Sequence, residues 1–418
     1  MSIRIAHMAD WHLGKHRRYI AEREPQVAAD IEAYARRLIQ QLLAYLEEAK
    51  IDLLLVAGDT FDQPEPNSEL KEAWFWQLQN HQSFPIVIVG GNHDPLAPAG
   101  PWPSGARTSK VYVLGKQAER WEGIARSGEK IVVDGQSFAA PTHDATVDLS
   151  SLAAVEADVL SLALLHGSWD PPLLQSHYAC IPRTATWLRN YDYVALGHYH
   201  YFFQERIQGG RQGLVSSPGP LLRTRWERQA DVGLLVGDFS RTDWGWQQNW
   251  QRLNLPGAPH WAECTLSLPS EPVGRGLAAE SEDIEAWEVY AESLAHTLKQ
   301  VLESETISEK LAAHSLQLLR LRLEGQRTAF HSRSLLLLDQ LCRQAGFRYV
   351  EILDESKIDL ERIFDTGSPS RALRALQTTL AQEGDLDPSA PEDIQAVQMR
   401  AREWLAQAIQ EVSEHADY

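Results

Sequence analysis

With 418 residues, of which 44% are apolar, the chain can bury sizeable cores and is predicted to form two or three domains. Its formal net charge of −18 argues against a nucleic-acid partner, since cations that neutralise phosphates supply most of the affinity in such complexes. It does not exclude one, because bound metal ions bring positive charge of their own. The sequence begins without a signal peptide and contains no apolar run that could span a bilayer, which predicts a cytoplasmic protein without a membrane partner.

The three cysteines, Cys180, Cys264 and Cys342, lie far apart in the sequence. They form no CxxC pair, which argues against a disulfide framework and against a thiolate metal site. Any metal ion bound by this chain would therefore need histidine, aspartate or asparagine ligands.

Polar side chains follow the first two predicted strands. The apolar residues 3–8 predict a strand, and Asp10 and His12 come after it, on the same side of an extended segment. Apolar residues at helical spacing from 25 to 50 predict an amphipathic helix that leads to a second strand. Asp59 ends that strand, and its two carboxylate oxygens could each bind one ion, so that it could bridge a pair. The alternative is that this aspartate simply begins a turn.

A second unit of helix and strand is predicted at residues 69–79 and 85–89. It ends in two glycines, which let the backbone approach a ligand closely, followed by Asn92 and His93. Asn92 offers a neutral oxygen ligand and His93 a proton donor. Short strands without evident chemistry are predicted in the segment that follows, at 111–114, 130–133 and 137–139.

Two further apolar strands end in histidine. Residues 162–165 lead into His166, and residues 193–196 lead into His198 and His200. A single buried histidine is more often a hydrogen-bonded core residue than a ligand. Ligand sites of open α/β sheets, however, lie beyond the carboxyl ends of the strands, where all of these side chains fall. Their mixture of imidazole and oxygen favours a borderline divalent ion over calcium.

The polar segments form an ordered set of motifs, namely DWHLG at 10–14, AGDTFD at 57–62, GNHD at 91–94, His166 with a following glycine, and GHYH at 197–200. In this order they resemble the motifs of calcineurin-like metallophosphoesterases. More narrowly, DWHLGK resembles the SbcD family, the nuclease partners of SbcC-type ATPases in DNA double-strand-break processing. The resemblance covers about the first half of the chain. It implies an α/β fold with a core of two packed mixed β-sheets flanked by helices, a small α/β cap domain and C-terminal helices.

The resemblance also implies a centre of two divalent metal ions, most typically Mn²⁺, with Mg²⁺ as the alternative. The ligands of the first ion would be Asp10, His12, Asp59 and His200. The ligands of the second ion would be Asp59, Asn92, His166 and His198. Asp59 would then be the bridge between the two ions.

Three more residues of the motifs receive roles from the resemblance. His93 would be the catalytic acid. Asp94, the second catalytic candidate, would hold either the other ring nitrogen of His93 or a neighbouring ligand. Asp62 stands where some relatives have histidine, and it could orient a ligand or cap the following loop.

The same resemblance divides the chain into three parts. Residues 1–255 would form the nuclease domain, residues 256–365 a cap that helps to select DNA, and residues 366–418 a helical region that docks on the ATPase. The elements predicted in the second half are strands at 261–268, 316–324 and 348–353 and helices at 282–302, 332–345, 370–383 and 391–414. The alternatives are an accessory domain that only stabilises the fold and helices that pack on their own chain.

Two basic clusters lie near the motifs and could contact the DNA backbone. The first comprises Lys15, Arg17 and Arg18, and the second comprises Arg223, Arg225 and Arg228. The alternative is a solvated charged face. Trp11 or Trp169 could stack on a base near the ions, although core packing is the more common use of tryptophan.

Together with these features, the resemblance implies a two-metal-dependent DNA nuclease, a 3′–5′ exonuclease and endonuclease that hydrolyses phosphodiester bonds with metal-activated water in DNA repair. No serine or cysteine nucleophile with a paired base stands out. An SbcC-like coiled-coil ATPase partner and a homodimer are implied by the resemblance alone. Two alternatives stay open. One is a phosphoesterase for a small phosphodiester or phosphomonoester, which the acidic charge favours, and the other is a scaffold with a dead site, which the intact ligand set disfavours.

Overall fold

The computed structural model describes residues 2–15, 18–80, 83–98, 100–102, 110–171, 178–211, 213–223, 226, 232–253, 255, 258–269, 284–303, 316–328 and 330–357. The chain forms two compact units, Met1–Pro259 and His260–Tyr418. Among the described helices, none combines the length and the apolar character needed to cross a bilayer. The C-terminal helices predicted at 370–383 and 391–414 lie outside the described residues.

The described elements of the first unit are β1 Ser2–Met8, α1 Arg18–Arg23, α2 Pro25–Glu48, β2 Leu53–Ala57, α3 Ser68–Asn80, β3 Ile86–Val89, β4 Val111–Val113, β5 Glu119–Ile124, β6 Lys130–Gly135, β7 His143–Thr146, β8 Leu160–His166, β9 Ser168–Trp169, β10 Tyr178–Ile181, a 3₁₀ helix Thr186–Asn190, β11 Tyr193–Gly197, β12 Phe202–Arg206, β13 Leu214–Pro218, β14 Leu234–Thr242 and β15 Gly245–Leu253. Those of the second unit are β16 His260–Ser267, α4 Ile284–Leu302, β17 Gln317–Glu324, α5 His331–Gln344 and β18 Tyr349–Asp354.

Two six-stranded mixed sheets form the core of the first unit. The first has the order β15-β14-β1-β2-β3-β4, and its strands β1 to β4 run parallel. The second has the order β12-β13-β11-β8-β6-β5, and its four central strands run parallel. A small third sheet joins β7, β10 and β9. The predicted α/β core of two mixed sheets is confirmed.

The alternation of side chains along β2 explains how the layers pack. Leu54 and Val56 point to one face and pack with α2 and α3, whereas Leu53 and Leu55 point to the other face and pack against the second sheet. All five residues of this strand are buried, as expected for a parallel strand that is covered on both faces. The predicted amphipathic helix is present as α2, which has proline at its first turn and a buried apolar stripe.

One predicted strand was wrong. Residues 137–139 form no strand, because Ser137 serves instead as a polar link between loops. Its hydroxyl accepts a hydrogen bond from the N–H of Gly90 at 2.9 Å and donates to the carbonyl of Leu114 at 2.6 Å. This link holds the end of β3, which carries the candidate ligand Asn92, against the segment after β4.

The second unit contains a three-stranded parallel sheet in the order β16-β17-β18. Helices α4 and α5 pack on one face of the sheet, where buried residues such as Leu294 and Leu338 belong to the same apolar cluster as Leu321 of β17. The strands and helices predicted between 261 and 353 are therefore present within the described residues. On the other face, Arg320 and Arg322 pair with glutamates of the neighbouring strands.

A buried polar pair links the two sheets of the first unit. His7 of β1 and Tyr193 of β11 are fully buried, and His7 Nδ1 lies 2.8 Å from the Tyr193 hydroxyl. Burial lowers the pKa of His7 to about 3, so the imidazole is neutral at physiological pH. Apolar contacts are not directional, whereas a hydrogen bond is. The pair therefore helps to fix how the two sheets are aligned with each other.

Tyr193→Phe removes the hydroxyl that faces His7 and leaves a buried ring nitrogen without this partner. We expect the free energy of unfolding to fall by about 1–3 kcal/mol. Urea denaturation followed by tryptophan fluorescence measures it. Tyr45→Phe, at an exposed tyrosine of α2, is the matched control and should change the value by less than about 0.5 kcal/mol. Equal effects of the two substitutions would show that the buried pair adds no stability.

Candidate metal centre

The ends of five strands meet at one edge of the two sheets. From the first sheet, β1 delivers Asp10 and His12, β2 delivers Asp59, and β3 delivers Asn92, His93 and Asp94. From the second sheet, β8 ends in His166, and β11 is followed by His198 and His200. In two overlapping groups the ligand atoms all lie within 4.8 Å of one another, Asp10 with His12 and His200, and Asp10 with Asp59 and His166. The convergence expected from the sequence is therefore present.

The first side of the centre is formed by two facing imidazoles. Nε2 of His12 lies 3.2 Å from Nε2 of His200 and 3.7 Å from Oδ2 of Asp59. The other ring nitrogen of His12 bonds to Asp62 Oδ1 at 3.0 Å. A neutral imidazole that donates from Nδ1 presents a bare lone pair at Nε2. His12 thus turns this lone pair towards Asp59.

The second side contains His166, Asn92 and His198. Nδ1 of His166 donates to the carbonyl of Ala57 at 2.9 Å, which leaves Nε2 as an acceptor. That nitrogen lies 3.0 Å from Oδ1 of Asn92 and 3.5 Å from Oδ2 of Asp59. Two acceptors at this distance repel each other unless a cation binds both. Nδ1 of His198 lies 3.3 Å from the same asparagine oxygen.

The protonation states suit a divalent cation. Burial lowers the pKa values of His12, His166 and His198, the last to about 3, so these imidazoles are neutral. Burial raises the pKa of Asp59, but attraction to any proton on His166 or His12 and the N–H bond from His93 lower it below its ordinary value, so the carboxylate is ionised. Neutral imidazoles around a buried carboxylate are the forms that bind metal ions. The donor set therefore fits a pair of divalent ions with Asp59 between them.

The backbone at these ligands is in an unusual conformation. Left-handed φ angles of 52°, 52°, 51° and 92° occur at Asp10, His12, Asp59 and His198, in that order. Such angles cost energy for residues other than glycine, and they are concentrated at functional sites because the surrounding structure enforces them. Here that structure is the buried sheet core, since the loop after β1 donates from Asp10 N–H to the carbonyl of Gly58 at 3.1 Å.

Two glycines of the motifs are required by close approach. A Cβ added to Gly91 would lie 2.2 Å from Oδ1 of Asp59, and one added to Gly58 would lie 2.5 Å from Nδ1 of His166. Gly58 also has a φ of 83°, which other residues rarely adopt. Both motifs therefore need glycine beside the ligand. The sequence pattern predicted this for Gly91, the glycine before Asn92.

Asp94 is buried beneath the centre. Its Oδ1 accepts N–H bonds from Asp59 at 3.0 Å and Gly91 at 2.6 Å, and its Oδ2 accepts from Thr60 at 2.7 Å and Phe61 at 3.2 Å. Burial and the Asp59 carboxylate raise the pKa of Asp94 well above its ordinary value, although the N–H donors oppose the rise. Four donors leave no lone pair of the carboxylate without a partner, which favours the ionised form. Of the two roles expected for Asp94, its contacts are those of a residue that holds a neighbouring ligand.

His93 lies at the mouth of the centre, with 40% of its side chain exposed. Its main-chain N–H donates to Asp59 Oδ1 at 2.9 Å, and its ring packs edge-on against His12 with centroids 4.7 Å apart. Nδ1 of His93 bonds to the main-chain oxygen of Asp62 at 2.9 Å. Asp62, not Asp94, therefore holds the ring of His93, a contact that sequence reasoning missed because it involves a main-chain atom.

The predicted substrate-binding residues are only partly described. Arg17, Arg225 and Arg228 lie outside the described residues, and Arg18 is described as the first residue of α1 without its side chain. Arg223 is half-buried in the loop after β13. Lys15 pairs with Asp62 Oδ1 at 2.9 Å.

The aromatic candidates also differ from expectation. Trp11 is 2% exposed and belongs to the core, so it cannot stack on a base. Trp169 is half-buried and donates from Nε1 to Glu205 at 3.2 Å. Tyr178, which sequence reasoning missed, packs its ring 4.9 Å from that of His198. Its strand carries no motif and reaches the site through the tertiary structure, where β10 pairs with β7 and with β9.

Residues 3–202 match the model of the calcineurin-like phosphoesterase family. This part of the chain therefore belongs to the calcineurin-like metallophosphoesterases, a class of metal-dependent hydrolases, and the two sheets and the cluster of aspartates and histidines agree with that class.

Several relatives carry nuclease names. The chain is 25% identical over 258 residues to the DNA double-strand break repair protein Mre11 of Methanopyrus kandleri, covering 57% of this chain and 54% of that protein. It is 34% identical over 96 residues to the SbcD subunit of the nuclease SbcCD of Bacillus subtilis, covering 22% of each. With the corresponding SbcCD nuclease subunit of Rhodobacter capsulatus it shares 32% identity over 117 residues, or 27% of each chain. The matched parts thus span about half or less of these relatives.

Among solved structures, TT1561 of Thermus thermophilus aligns with 60% of this chain and 99% of its own, at 12% identity and a TM-score of 0.34.

Asp94→Asn places an amide NH₂ against backbone N–H donors. We expect at least one buried donor to lose its acceptor, at a cost of about 1–3 kcal/mol in the free energy of unfolding, even in metal-free protein. Urea denaturation measures the loss, with exposed Asp158→Asn as the control for a lost charge. A more stable Asp94→Asn variant would mean that repulsion between Asp94 and Asp59 outweighs the four N–H bonds.

Proposed function

We propose that this chain is a two-metal-dependent DNA nuclease that hydrolyses phosphodiester bonds as exonuclease and endonuclease. The observation that supports it most directly is the position of Asp59, whose Oδ2 lies 3.7 Å from Nε2 of His12 and 3.5 Å from Nε2 of His166. A carboxylate oxygen close to two imidazole lone pairs is suited to serve as a ligand that two ions share. The names of the relatives support DNA as the substrate.

The ligands would divide as the motifs suggest. Asp10, His12, Asp59 and His200 would hold one ion, and Asp59, Asn92, His166 and His198 the other. When bound, the two ions supply Lewis acidity for the phosphodiester and for an attacking water. Because imidazole, carboxylate and amide oxygen are mixed in this set, we propose Mn²⁺ as the native ion, with Mg²⁺ as the alternative.

His93 would donate the proton that the leaving oxygen needs. Its Nδ1 is engaged by the main-chain oxygen of Asp62, so Nε2 is the atom that faces away from that bond. Its partial exposure lets a substrate reach the ring, while the main-chain N–H holds Asp59. Asp94 would act through Asp59, by fixing the loop that carries it.

The rest of the chain would serve substrate and partner. We propose that residues 256–365 form a cap that selects DNA, that residues 366–418 dock on an SbcC-like coiled-coil ATPase, and that the protein is a homodimer engaged in double-strand-break repair with 3′–5′ polarity. Arg223 and Arg225 would contact the DNA backbone. The relatives named as subunits of an SbcCD nuclease support an enzyme of more than one kind of chain.

The net charge of −18 favours a second candidate, a phosphoesterase for a small phosphodiester or phosphomonoester, because a polyanionic substrate is repelled by an acidic protein. The two candidates differ in the substrate that must reach the centre. Only the nuclease needs cations along an extended surface.

We expect end-labelled duplex DNA to be cleaved with Mn²⁺, and more strongly with Mn²⁺ and an SbcC-like ATPase together. Nitrophenyl phosphate esters under the same conditions should be poor substrates. Asp59→Ala should lose both bound ions and all cleavage, which excludes a contaminating nuclease. Rapid hydrolysis of the nitrophenyl esters with intact DNA would replace the nuclease proposal by the small-substrate alternative.

His93→Ala should separate acid catalysis from metal binding. The substitution keeps the main-chain N–H that bonds Asp59, so we expect wild-type metal content and a cleavage rate lower by about 10²–10⁴-fold. Metal analysis and single-turnover cleavage on the same sample measure both quantities. His143→Ala, on β7, is the matched control and should keep the wild-type rate. Loss of the ions in His93→Ala would instead make His93 a residue of the metal centre.

A further inference from the structure

Asp62 contacts three groups of the candidate centre at once. Its Oδ1 faces Nδ1 of His12 at 3.0 Å and Nζ of Lys15 at 2.9 Å. Its main-chain oxygen faces Nδ1 of His93 at 2.9 Å. Its side chain is 15% exposed, so these bonds are shielded from water. One residue thus meets a candidate ligand, a cation and the candidate acid.

The backbone of Asp62 is itself fixed. Its N–H donates to the carbonyl of Leu13 at 3.0 Å, and the preceding Phe61 pairs with Leu13 in an isolated β-bridge. Phe61 is fully buried between Trp74 and Trp102. The loops after β1 and β2 are therefore tied to each other, and Asp62 connects them to the rings of His12 and His93.

Both histidines acquire a defined tautomer from these bonds. The carboxylate and the carbonyl can only accept, so each must receive N–H from Nδ1. When His93 acts as the acid, it donates from Nε2 and must then carry a proton on both ring nitrogens. Nε2 of His12 is then the free lone pair, and it lies towards Asp59 and His200. A carboxylate behind a ligating imidazole fixes the ring and strengthens it as a ligand, and loss of such a partner typically weakens metal binding by about 10–100-fold.

We propose that Asp62 is a positioning residue: its carboxylate aims His12 at the first ion, its main-chain oxygen aims His93 at the substrate, and Lys15 anchors that carboxylate. This inference rests on the proposed metal-dependent function. It changes the expected role of Lys15 from a contact with the DNA backbone to a partner of Asp62. It also resolves the two roles open for Asp62 in favour of orienting a ligand.

A substitution of the Asp62 side chain tests the role of its carboxylate and leaves the role of its main-chain oxygen unchanged. Asp62→Ala removes the bonds to His12 and Lys15 but keeps the main-chain oxygen that holds His93. The metal centre should therefore weaken while the hydrogen bond of His93 remains. Asp62→Asn keeps an oxygen acceptor for His12 and loses the charge that pairs with Lys15, so its effect should be smaller.

The experiment measures Mn²⁺ binding by calorimetry without DNA, and the tautomers of His12 and His93 by ¹⁵N NMR of the metal-free protein. For Asp62→Ala we expect Mn²⁺ affinity at one site to fall by about 10–100-fold, the Nδ1–H tautomer of His12 to be lost, and that of His93 to persist. Excess Mn²⁺ should restore most of the cleavage rate. Glu65→Ala removes an exposed acid of the same loop and should behave as wild type.

Wild-type Mn²⁺ affinity with an unchanged His12 tautomer in both Asp62 variants would overturn the inference. If Asp62→Ala fails to fold by circular dichroism, the isosteric Asp62→Asn carries the test through Mn²⁺ affinity alone. That affinity should fall because the negative charge behind His12 is lost, and a wild-type affinity would then overturn the inference. Lys15→Met separates the two roles of the lysine: weaker Mn²⁺ binding with an unchanged salt dependence of DNA affinity supports the anchor, and a shallower salt dependence with unchanged Mn²⁺ binding refutes it. Metal binding is measured without DNA. A wild-type protein that binds two ions but cleaves no DNA would therefore contradict the nuclease proposal and leave the proposal for Asp62 unaffected.

Discussion

Two carboxylates, those of Asp59 and Asp94, lie close together in the interior of the first unit. Their hydrogen-bonding partners differ. Asp94 accepts four backbone N–H bonds. Asp59 accepts one N–H from His93, while the imidazole nitrogens near its other oxygen present lone pairs. A buried anion that faces acceptors is unfavourable unless cations bind there. The arrangement of the surrounding ligands follows from this asymmetry.

The sheets supply the rigidity that this asymmetry needs. Four candidate ligands occupy left-handed backbone conformations, and such strain persists only where neighbouring structure enforces it. Here the fully buried strands β2, β3 and β8 end at the centre, and Ser137 and Asp94 tie their loops together. The ligands are therefore held in place before any ion arrives, which lowers the entropy cost of binding.

The acidic net charge of the chain argues less strongly against a DNA substrate once the candidate metal centre is considered. Net charge alone disfavours a polyanionic substrate. Lys15, the member of the first basic cluster whose side chain is described, is already paired with Asp62. Positive charge at the reacting phosphate would then come from the ions. Under the proposed function, cleavage should depend on metal more strongly than substrate binding does.

The sequence by itself determined which residues could be ligands and that they lie at strand ends, because apolar runs that stop at Asp59, His166 and His198 are visible locally. It also determined the α/β class and the helix α2 from its periodicity. Only the tertiary structure decided that Trp11 is core, that Asp94 holds the Asp59 loop, and that Asp62 links His12, His93 and Lys15. These are contacts between segments up to fifty positions apart, several through main-chain atoms, and no local pattern of side chains encodes them.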